Sequence, residues 1–458
     1  MNREDSVLDN SQPLQGKMTT NKETRRFLDE ITKMLMNTPI LTLRNELHAR
    51  SYPVFTPPVK IIAQSFLREG CKINEEKEYA KRLITSSDAT VTSEQPSSIV
   101  CHIDNTEIRI DYYNEYTSYV FIDNQADTQL FSEITSSLDN AWLNDAPGKR
   151  LTGIRFLFNK TEDRSIHKDS LHRFFGESQI FASSTSHNIA IVWSNFIADH
   201  QGYMNVLIDD FGLGPRRAGR LVQRIIDIEN YRMMSLLTLP IAQKILKELD
   251  RIDSHLTRLA TIFPERNTIV EEKQLLGELF DLMAENEQMR ALTLRRFIGT
   301  KAYQNIVDER LIELDCKPVA GYQTFSTFFI RRMRPAMRTC KSAQIRLEEL
   351  SIHLQRVTDM FSTRVNVNVE QQNQKILESV ARQSKMQVRL QQMVEGLSIV
   401  AITYYASSLL SYIYKSLEYV GILNSHYLWT GVSIPLVLIA TWTALKKIKA
   451  KVFNNQGR

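Results

Sequence analysis

Residues 396–414 read GLSIVAITYYASSLLSYIY, a run of about nineteen residues with no charged side chain, long enough to cross a bilayer as one helix. A second uncharged run, LWTGVSIPLVLIATWTAL, occupies residues 428–445. Together they predict a transmembrane hairpin with helices at Gly396–Tyr414 and Leu428–Leu445. The alternative is a pair of buried core helices in a soluble protein, although both runs are longer and less charged than such helices usually are.

The charges beside the two runs predict their orientation. Four lysines lie directly after the second run: Lys446, Lys447, Lys449 and Lys451. In the loop between the runs, Lys415 and Glu418 cancel each other. Because positively charged flanks stay in the cytoplasm, we expect the basic tail 446–458 and the body before the first run to be cytoplasmic. This makes the chain a multi-pass protein of the cytoplasmic membrane with the lipid bilayer as a partner.

Composition limits the other partners. The chain has 458 residues, with 57 Lys and Arg against 52 Asp and Glu and a formal net charge of +5. The lysines after the second run account for most of that excess, so no basic field for nucleic acid is predicted. The four cysteines are far apart and form no CxxC pair, and no metal, phosphate-loop or dinucleotide motif predicts a cofactor. Residues 1–23 are polar and predict a disordered lead.

Residues 24–214 predict a mixed α/β cytoplasmic domain, because segments with a period of two alternate with helical spacing. The predicted strands are Val59–Phe66, Ile99–Ile103, Glu107–Tyr112, Tyr116–Ile122, Ile154–Phe158, Gln179–Ser184 and Asn188–Phe196. Asp104-Asn105 suits a tight hairpin between two of them. The Ser- and Thr-rich stretch Thr85–Ser98 has no periodicity and predicts a surface loop.

From residue 215 the chain is helical. Residues 215–314 predict a long antiparallel hairpin, with a break at Leu239-Pro240 and an interruption near Gly299. Apolar residues recur at alternating spacings of four and three, which predicts a heptad seam facing another helix: Ile245, Leu249, Ile252, Leu256, Leu259 and Phe263. The stretch Asp315–Gly321 predicts a turn.

Residues 322–395 predict a stalk helix that continues into the first membrane run, since Pro335 and Gly396 are its only interruptions up to Tyr414. Its seam keeps the spacing of three and four at Leu347, Leu350, Leu354, Val357 and Phe361. Amides then replace apolar residues in Asn366–Gln374. Polar layers of this kind set register and oligomer number in coiled coils, so a homo-oligomer through the stalk helices is predicted. The alternative is the solvated face of a lone helix.

Two groups of residues are candidates for function. Glu46, His48 and Arg50 form a compact polar cluster, but Glu46 and His48 are two positions apart and would not chelate a metal from one helix. In the first membrane run a polar face is formed by Tyr404, Ser408, Ser411 and Lys415. These groups need partners in lipid, either through hydrogen bonds between helices or as a wetted pathway along an oligomer axis.

Several stretches also carry a family resemblance: LRNELHAR at 43–50, GRLVQRIIDIENYRMMSLLTLP at 219–240, RPAMRTC at 334–340, EQQNQ at 370–374 and RLQQMVEGLSIVAITYY at 389–405. They resemble a bacterial family of membrane-anchored proteins, domain of unknown function 3422. The resemblance implies membrane anchoring and a bacterial inner-membrane location, and it implies no site residue. The overall plan is also similar to that of CorA-like magnesium transporters, but Tyr412-Ile413-Tyr414 stands where they carry Gly-Met-Asn.

The sequence therefore predicts an α+β cytoplasmic domain followed by long antiparallel or coiled-coil helices and a C-terminal transmembrane hairpin. The favoured function is that of an oligomeric structural or regulatory membrane protein and not of an enzyme. One alternative is an ion channel or transporter whose first span is lined by hydroxyl groups and which passes an ion or small solute. The other is a membrane-tethered enzyme that uses Glu46, His48 and Arg50.

Overall fold

The computed structural model describes residues 52–124, 142–164, 168–185, 187–265, 268–419 and 425–455, together with Arg26 and Asp29. These residues divide into two compact units. The first takes residues up to Leu256 and Leu282–His353, and the second takes Thr257–Asp281 and the residues from Leu354 onward. Three long helices each contribute to both units.

The first unit contains a sheet of ten strands, counted over the described residues, in the order β10-β7-β8-β9-β6-β1-β5-β4-β3-β2. The strands are β1 Val59–Leu67, β2 Thr90–Gln95, β3 Ser98–Ile103, β4 Thr106–Tyr112, β5 Tyr116–Asp123, β6 Lys149–Lys160, β7 Phe181–Thr185, β8 Ala190–Ala198, β9 Met204–Asp210 and β10 Lys317–Pro318. Neighbouring strands pair antiparallel except β6 and β9, which are parallel.

Among the described residues, two short helices lie between strands of the sheet, and long helices follow β9 in the chain, with β10 between two of them. The helices are α1 Ile73–Ser86, α2 Lys168–Phe175, α3 Pro215–Leu236, α4 Leu239–Ile262, α5 Ile269–Glu313, α6 Phe325–Tyr419 and α7 His426–Asn455. A sheet domain, then long helices, then a final helix of membrane-spanning length confirms the predicted fold class. The transmembrane hairpin itself stays a prediction.

Helices cover both faces of the central strand β1, which explains why all of its residues but Lys60 are buried. On one face Ile62 and Phe66 belong to a core cluster that also takes buried side chains from α1 and α2. On the other face Leu67 clusters with Tyr116 of β5 and Met234 of α3. Tyr119, which belongs to the first cluster, lies an odd number of positions from Tyr116 in β5, so the two side chains point to opposite faces.

The predicted surface loop at Thr85–Ser98 is wrong, because α1 extends to Ser86 and residues 90–95 form β2. This strand pairs antiparallel with β3 at the edge of the sheet, and its residues are exposed or half-buried. An edge strand with both faces near solvent needs no apolar period, while β-branched Thr90, Val91 and Thr92 suit an extended backbone. The alternation that identified the other strands was therefore missing here.

The remaining strand predictions lie within β1, β3, β4, β5 and β6, and the last two overlap β7 and β8, each of which begins two residues later than predicted. Asp104 adopts a left-handed φ of 51° in the hairpin between β3 and β4, as its position in an Asp-Asn pair predicted. Strand β9 was not predicted. Nor was β10, which lies in the predicted turn between Asp315 and Gly321, two residues with positive φ values of 49° and 85°.

The predicted break at Leu239-Pro240 is confirmed, since α3 ends at Leu236 and α4 begins at Leu239. The predicted interruption near Gly299 is wrong, because α5 is continuous through it. Thr300, the next residue, has its Oγ1 2.6 Å from Thr238 Oγ1, and Val307 is buried further along the same helix. Packing on this face outweighs the penalty of about 1 kcal/mol for a helical Gly relative to Ala.

The seam Ile245–Phe263 of α4 is buried as predicted. Within the first unit α4 contacts both later helices. Arg251 bonds to Glu285 of α5, and Asp250 Oδ1 lies 2.8 Å from Arg346 Nη2 of α6. Two helices therefore lie beside α4 in this unit, where the sequence predicted a helix partner for the seam.

The predicted stalk is confirmed as a single helix, since α6 runs through Pro335 and Gly396 without a break and is 95 residues long. The stalk seam is also buried at each predicted position: Leu347, Leu350, Leu354, Val357 and Phe361. In the second unit Phe361 stacks on Phe263. This part of α6 is therefore covered by the same chain.

Candidate functional site

The candidate cluster of Glu46, His48 and Arg50 lies outside the described residues. Its role stays a prediction. Among the residues that are described, no group of three or more His, Cys, Asp or Glu side chains is arranged to hold a metal ion.

The cysteines lie in environments that keep their thiols protonated. Burial, together with Glu75 in the case of Cys71, raises the pKa of Cys71 to about 11, and burial raises that of Cys101 to about 11. Burial also raises the pKa of Cys316 and Cys340. A thiol needs to ionise to act as a nucleophile, so none of these four side chains is activated at neutral pH.

Among the described residues, two helices are long and apolar enough to cross a membrane by length and composition: α6, and residues Tyr427–Lys447 of α7. Their apolar side chains are largely exposed, as for Leu397 and Leu409 in α6 and Leu428 and Leu436 in α7. Contiguous exposed apolar surface of this kind calls for lipid or another protein chain to cover it.

The polar face predicted in the first run is exposed or half-buried. Tyr404 is 71% exposed, Lys415 is exposed, and Ser408 and Ser411 are half-buried. Within the described part of the chain these side chains make no hydrogen bond to α7. The structure therefore leaves their partners to be supplied from outside the single chain.

Two neighbouring hydroxyl residues of the same helix are buried, and one of them contacts α7. Thr403 Oγ1 lies 3.2 Å from Thr441 Oγ1, and both Thr403 and Ser407 are buried. The Oγ of Ser407 is buried without a hydrogen-bond partner among the residues described. The sequence carried this signal as small hydroxyl residues four positions apart, but the longer stripe beginning at Tyr404 was the more prominent pattern.

The predicted polar layer of Asn366–Gln374 is partly used inside the chain. The side chain of Asn368 bonds to Glu272 of α5, and Arg364 Nε lies 3.2 Å from the same carboxylate. Both contacts belong to the second unit. Asn368 is therefore not available as a layer between copies.

Beyond residue 369 helix α6 is exposed on all sides until residue 394. A regular heptad continues there at alternating spacings of four and three. We call it the exposed seam; its residues are Gln372, Ile376, Ser379, Gln383, Met386, Leu390, Met393 and Leu397. Apolar side chains dominate its second half. A heptad with this pattern is typical of a helix that pairs with other helices.

Helix α6 first packs within its own chain, then presents the exposed seam, and then becomes apolar enough to cross a membrane by length and composition. The family described as Protein of unknown function (DUF3422) matches residues 41–452, and the chain belongs to this family. No curated protein matches the chain. The similarity of plan to magnesium transporters stays a prediction.

Proposed function

We propose that the chain is a membrane-anchored homo-oligomer of the bacterial cytoplasmic membrane, with a structural or regulatory role and no reaction of its own. The observation that carries this proposal is the exposed seam of α6. Its side chains are not covered by other residues of the described chain: Ile376, Leu390 and Leu397 are 58%, 53% and 73% exposed. Further copies of the same helix are the partner that fits a heptad.

Anchoring is supported by the chemistry of the last helix. Its apolar face is exposed, and the lysine-rich stretch begins where that face ends. Lys446 Nζ lies 5.1 Å from the ring centroid of Trp442. A Trp next to cations is the usual composition at a membrane interface, and cations of this kind stay on the cytoplasmic side.

Polar residues in the exposed seam would set the register and the oligomer number of the proposed assembly. Gln372, Ser379 and Gln383 stand at core positions of the heptad. Polar core residues weaken a coiled coil while they restrict its register and oligomer number. The proposed assembly is therefore held by the apolar layers from Met386 to Leu397 and given its register by the polar layers before them.

The test is the mass of the full-length protein in detergent, measured by light scattering during gel filtration. Leu390→Asp puts a charge into the exposed seam, and we expect it to convert the oligomer to a monomer. Val388→Asp is the matched control, because Val388 is 51% exposed on the same helix and lies outside the exposed seam. A monomeric wild-type protein, or equal effects of the two substitutions, would contradict the proposal.

A second candidate is a channel or transporter, and the observation that favours it is the set of hydroxyl groups in the first membrane run that α7 does not bind. Ser407 Oγ is buried and unbonded among the described residues, Tyr404 is exposed, and Ser408 and Ser411 are half-buried without a hydrogen bond to α7 in the described chain. In an oligomer these groups would either bond across helices or line a wetted path. Lys415 at its outer end would favour anions over divalent cations.

A further inference from the structure

A groove between α5 and α6 in the first unit has a volume of about 700 Å³. Buried Phe297, Met337 and Cys340 lie at its base, and exposed side chains form its rim. Its size falls within the range of small-ligand sites, roughly 300 to 1,000 Å³. The stretch RPAMRTC, one of those that carry the family resemblance, supplies part of one wall.

Four cations line this groove: Lys301 of α5 and Arg334, Arg338 and Lys341 of α6. All of them are exposed, and none has an ion-pair partner within the described part of the chain. The single carboxylate in the lining, Glu348, lies 3.7 Å from Arg290 Nη1. The groove therefore carries an excess of positive charge that the described chain does not neutralise.

Some other arginines on these same helices are paired, although Arg331 and Arg332 have no ion-pair partner among the described residues either. Arg290 meets Glu287 and Glu348, while Arg346 lies 2.8 Å from Asp250. The cations of the groove thus differ from Arg290 and Arg346 in lacking a carboxylate among the described residues, and they differ from the other unpaired arginines in lining one groove together. Arg334 and Arg338 are four positions apart, and Lys341 follows three later, so like charges also face one another along one side of α6, which destabilises a helix.

The remaining lining is suited to the rest of a ligand. Thr300, Gln304, Asn305 and Gln344 provide hydroxyl and amide groups, while Met337 and Ile345 provide apolar contact. Guanidinium groups bind phosphate through paired hydrogen bonds, and lysines add point charges. We propose that the groove binds a nucleotide-like solute, which carries two or more phosphates on an apolar or aromatic group.

This inference is independent of the proposed oligomer and of its membrane anchor. The phosphates would lie among Arg334, Arg338 and Lys341, with Lys301 closing on them from α5. The apolar group would lie toward Ile345. Because the cations are exposed, their replacement should alter binding and not folding.

The test is equilibrium dialysis of the full-length protein in detergent against radiolabelled ATP, at low salt and with EDTA so that Mg²⁺ does not mask the phosphates. We expect saturable binding of ATP, weakened at higher salt because exposed charges are screened. Arg338→Gln should lower the affinity about tenfold or more, as expected for loss of a charged hydrogen bond. The melting temperature of each variant provides the check on folding.

Arg332→Gln is the matched control, because Arg332 is exposed on the same helix but does not line the groove. We expect it to leave the affinity for ATP unchanged. Inorganic pyrophosphate should displace ATP, whereas adenosine should not. The proposal is overturned if ATP does not bind saturably, if adenosine competes as well as pyrophosphate, or if the two arginine variants lose affinity equally.

Discussion

Asn368 donates through Nδ2 to both carboxylate oxygens of Glu272, at 2.9 and 2.8 Å. Glu272 is completely buried, and Arg364 Nε provides a second partner at 3.2 Å. These contacts join α5 to α6 inside the second unit. The buried carboxylate thus lies beside the last covered turn of α6, since from residue 370 to residue 394 this helix is exposed on all sides.

Asn368→Ala should therefore destabilise the second unit by about 1 to 2 kcal/mol, because a buried carboxylate loses a hydrogen-bond donor. The measurement is hydrogen exchange of the backbone amides in residues 269–281 of the full-length protein, which reports local opening. Asn373→Ala is the control, since Asn373 is exposed, and its effect should stay within about 0.5 kcal/mol. Equal protection in both variants would mean that the Asn368 contact contributes nothing.

A second prediction concerns pH and the buried carboxyl group of Asp227 on α3. Burial raises its pKa from 3.8 to about 6, and Asp111 adds to the increase. Hydrogen bonds from Gln223 and the charge of Arg310, whose Nε lies 3.2 Å away, act in the opposite direction and only reduce it. The folded chain thus holds this proton more tightly than the unfolded chain does.

The sign of the effect follows from proton uptake. Well above pH 6 the carboxyl group of Asp227 is ionised in both the folded and the unfolded state. Between pH 6 and 3.8 the folded state is protonated first, so the contribution of Asp227 to the free energy of unfolding rises as the pH falls. Between about pH 7 and about pH 4.5 the gain is about 2 kcal/mol. Asp227→Asn should abolish it, so chemical unfolding of both proteins at the two pH values checks the prediction. The exposed Asp250→Asn serves as control, and the same pH dependence in wild type and Asp227→Asn would refute the argument.

The parts of the fold that could be predicted are those where burial leaves a period in the sequence. β3 to β5 alternate, and the seam of α4 repeats at three and four, because each element has a buried face. β2 lacked that signal because it is an edge strand. The predicted interruption at Gly299 is wrong because the low helix propensity of Gly is a smaller effect than tertiary packing, here the contact of Thr300 with Thr238.

The polar residues were harder to interpret, since their partners lie far away in the sequence. Nothing near Asn368 indicates that Glu272, 96 positions earlier, would bind it. Similarly, Thr403 faces Thr441 because of how two helices pack, which no single-helix pattern specifies. Groups such as Arg334 and Lys301 come together only when α5 lies beside α6, so the cationic groove could not be found from spacing along one helix.

The orientation of the chain gives a third prediction. Green fluorescent protein fused to either end should fluoresce, because the lysines from Lys446 onward hold the tail in the cytoplasm and two crossings return the chain to the same side. Alkaline phosphatase inserted between the two membrane runs should be active, since the predicted orientation puts that loop in the periplasm. Replacing Lys446, Lys447, Lys449 and Lys451 by Gln should weaken this preference. Phosphatase activity from a fusion at either end would contradict two crossings.

The last prediction asks whether the polar face of the first membrane run meets water or another helix. We expect a partner helix, because Thr403 already bonds to Thr441 and unbonded hydroxyl groups in lipid gain from further helices. Single cysteines at Ser408 and Ser411 should then resist a charged, membrane-impermeant thiol reagent added outside spheroplasts, since reaction needs a hydrated thiolate. Lys415→Cys, near the outer end of the run, should react and so acts as the positive control.

The same packing predicts the effect of removing one hydroxyl group. Ser408→Leu should loosen the oligomer by about 0.6 to 2 kcal/mol for each lost hydrogen bond, measured as the dilution at which the assembly dissociates in detergent. Leu409→Ala is a matched control, because Leu409 is 65% exposed next to it and offers no hydrogen bond. Rapid labelling at Ser408, Ser411 and Tyr404 together would instead indicate a continuous aqueous path, because these residues lie along one helical face. In that case the channel would replace the structural oligomer as the better account of this helix.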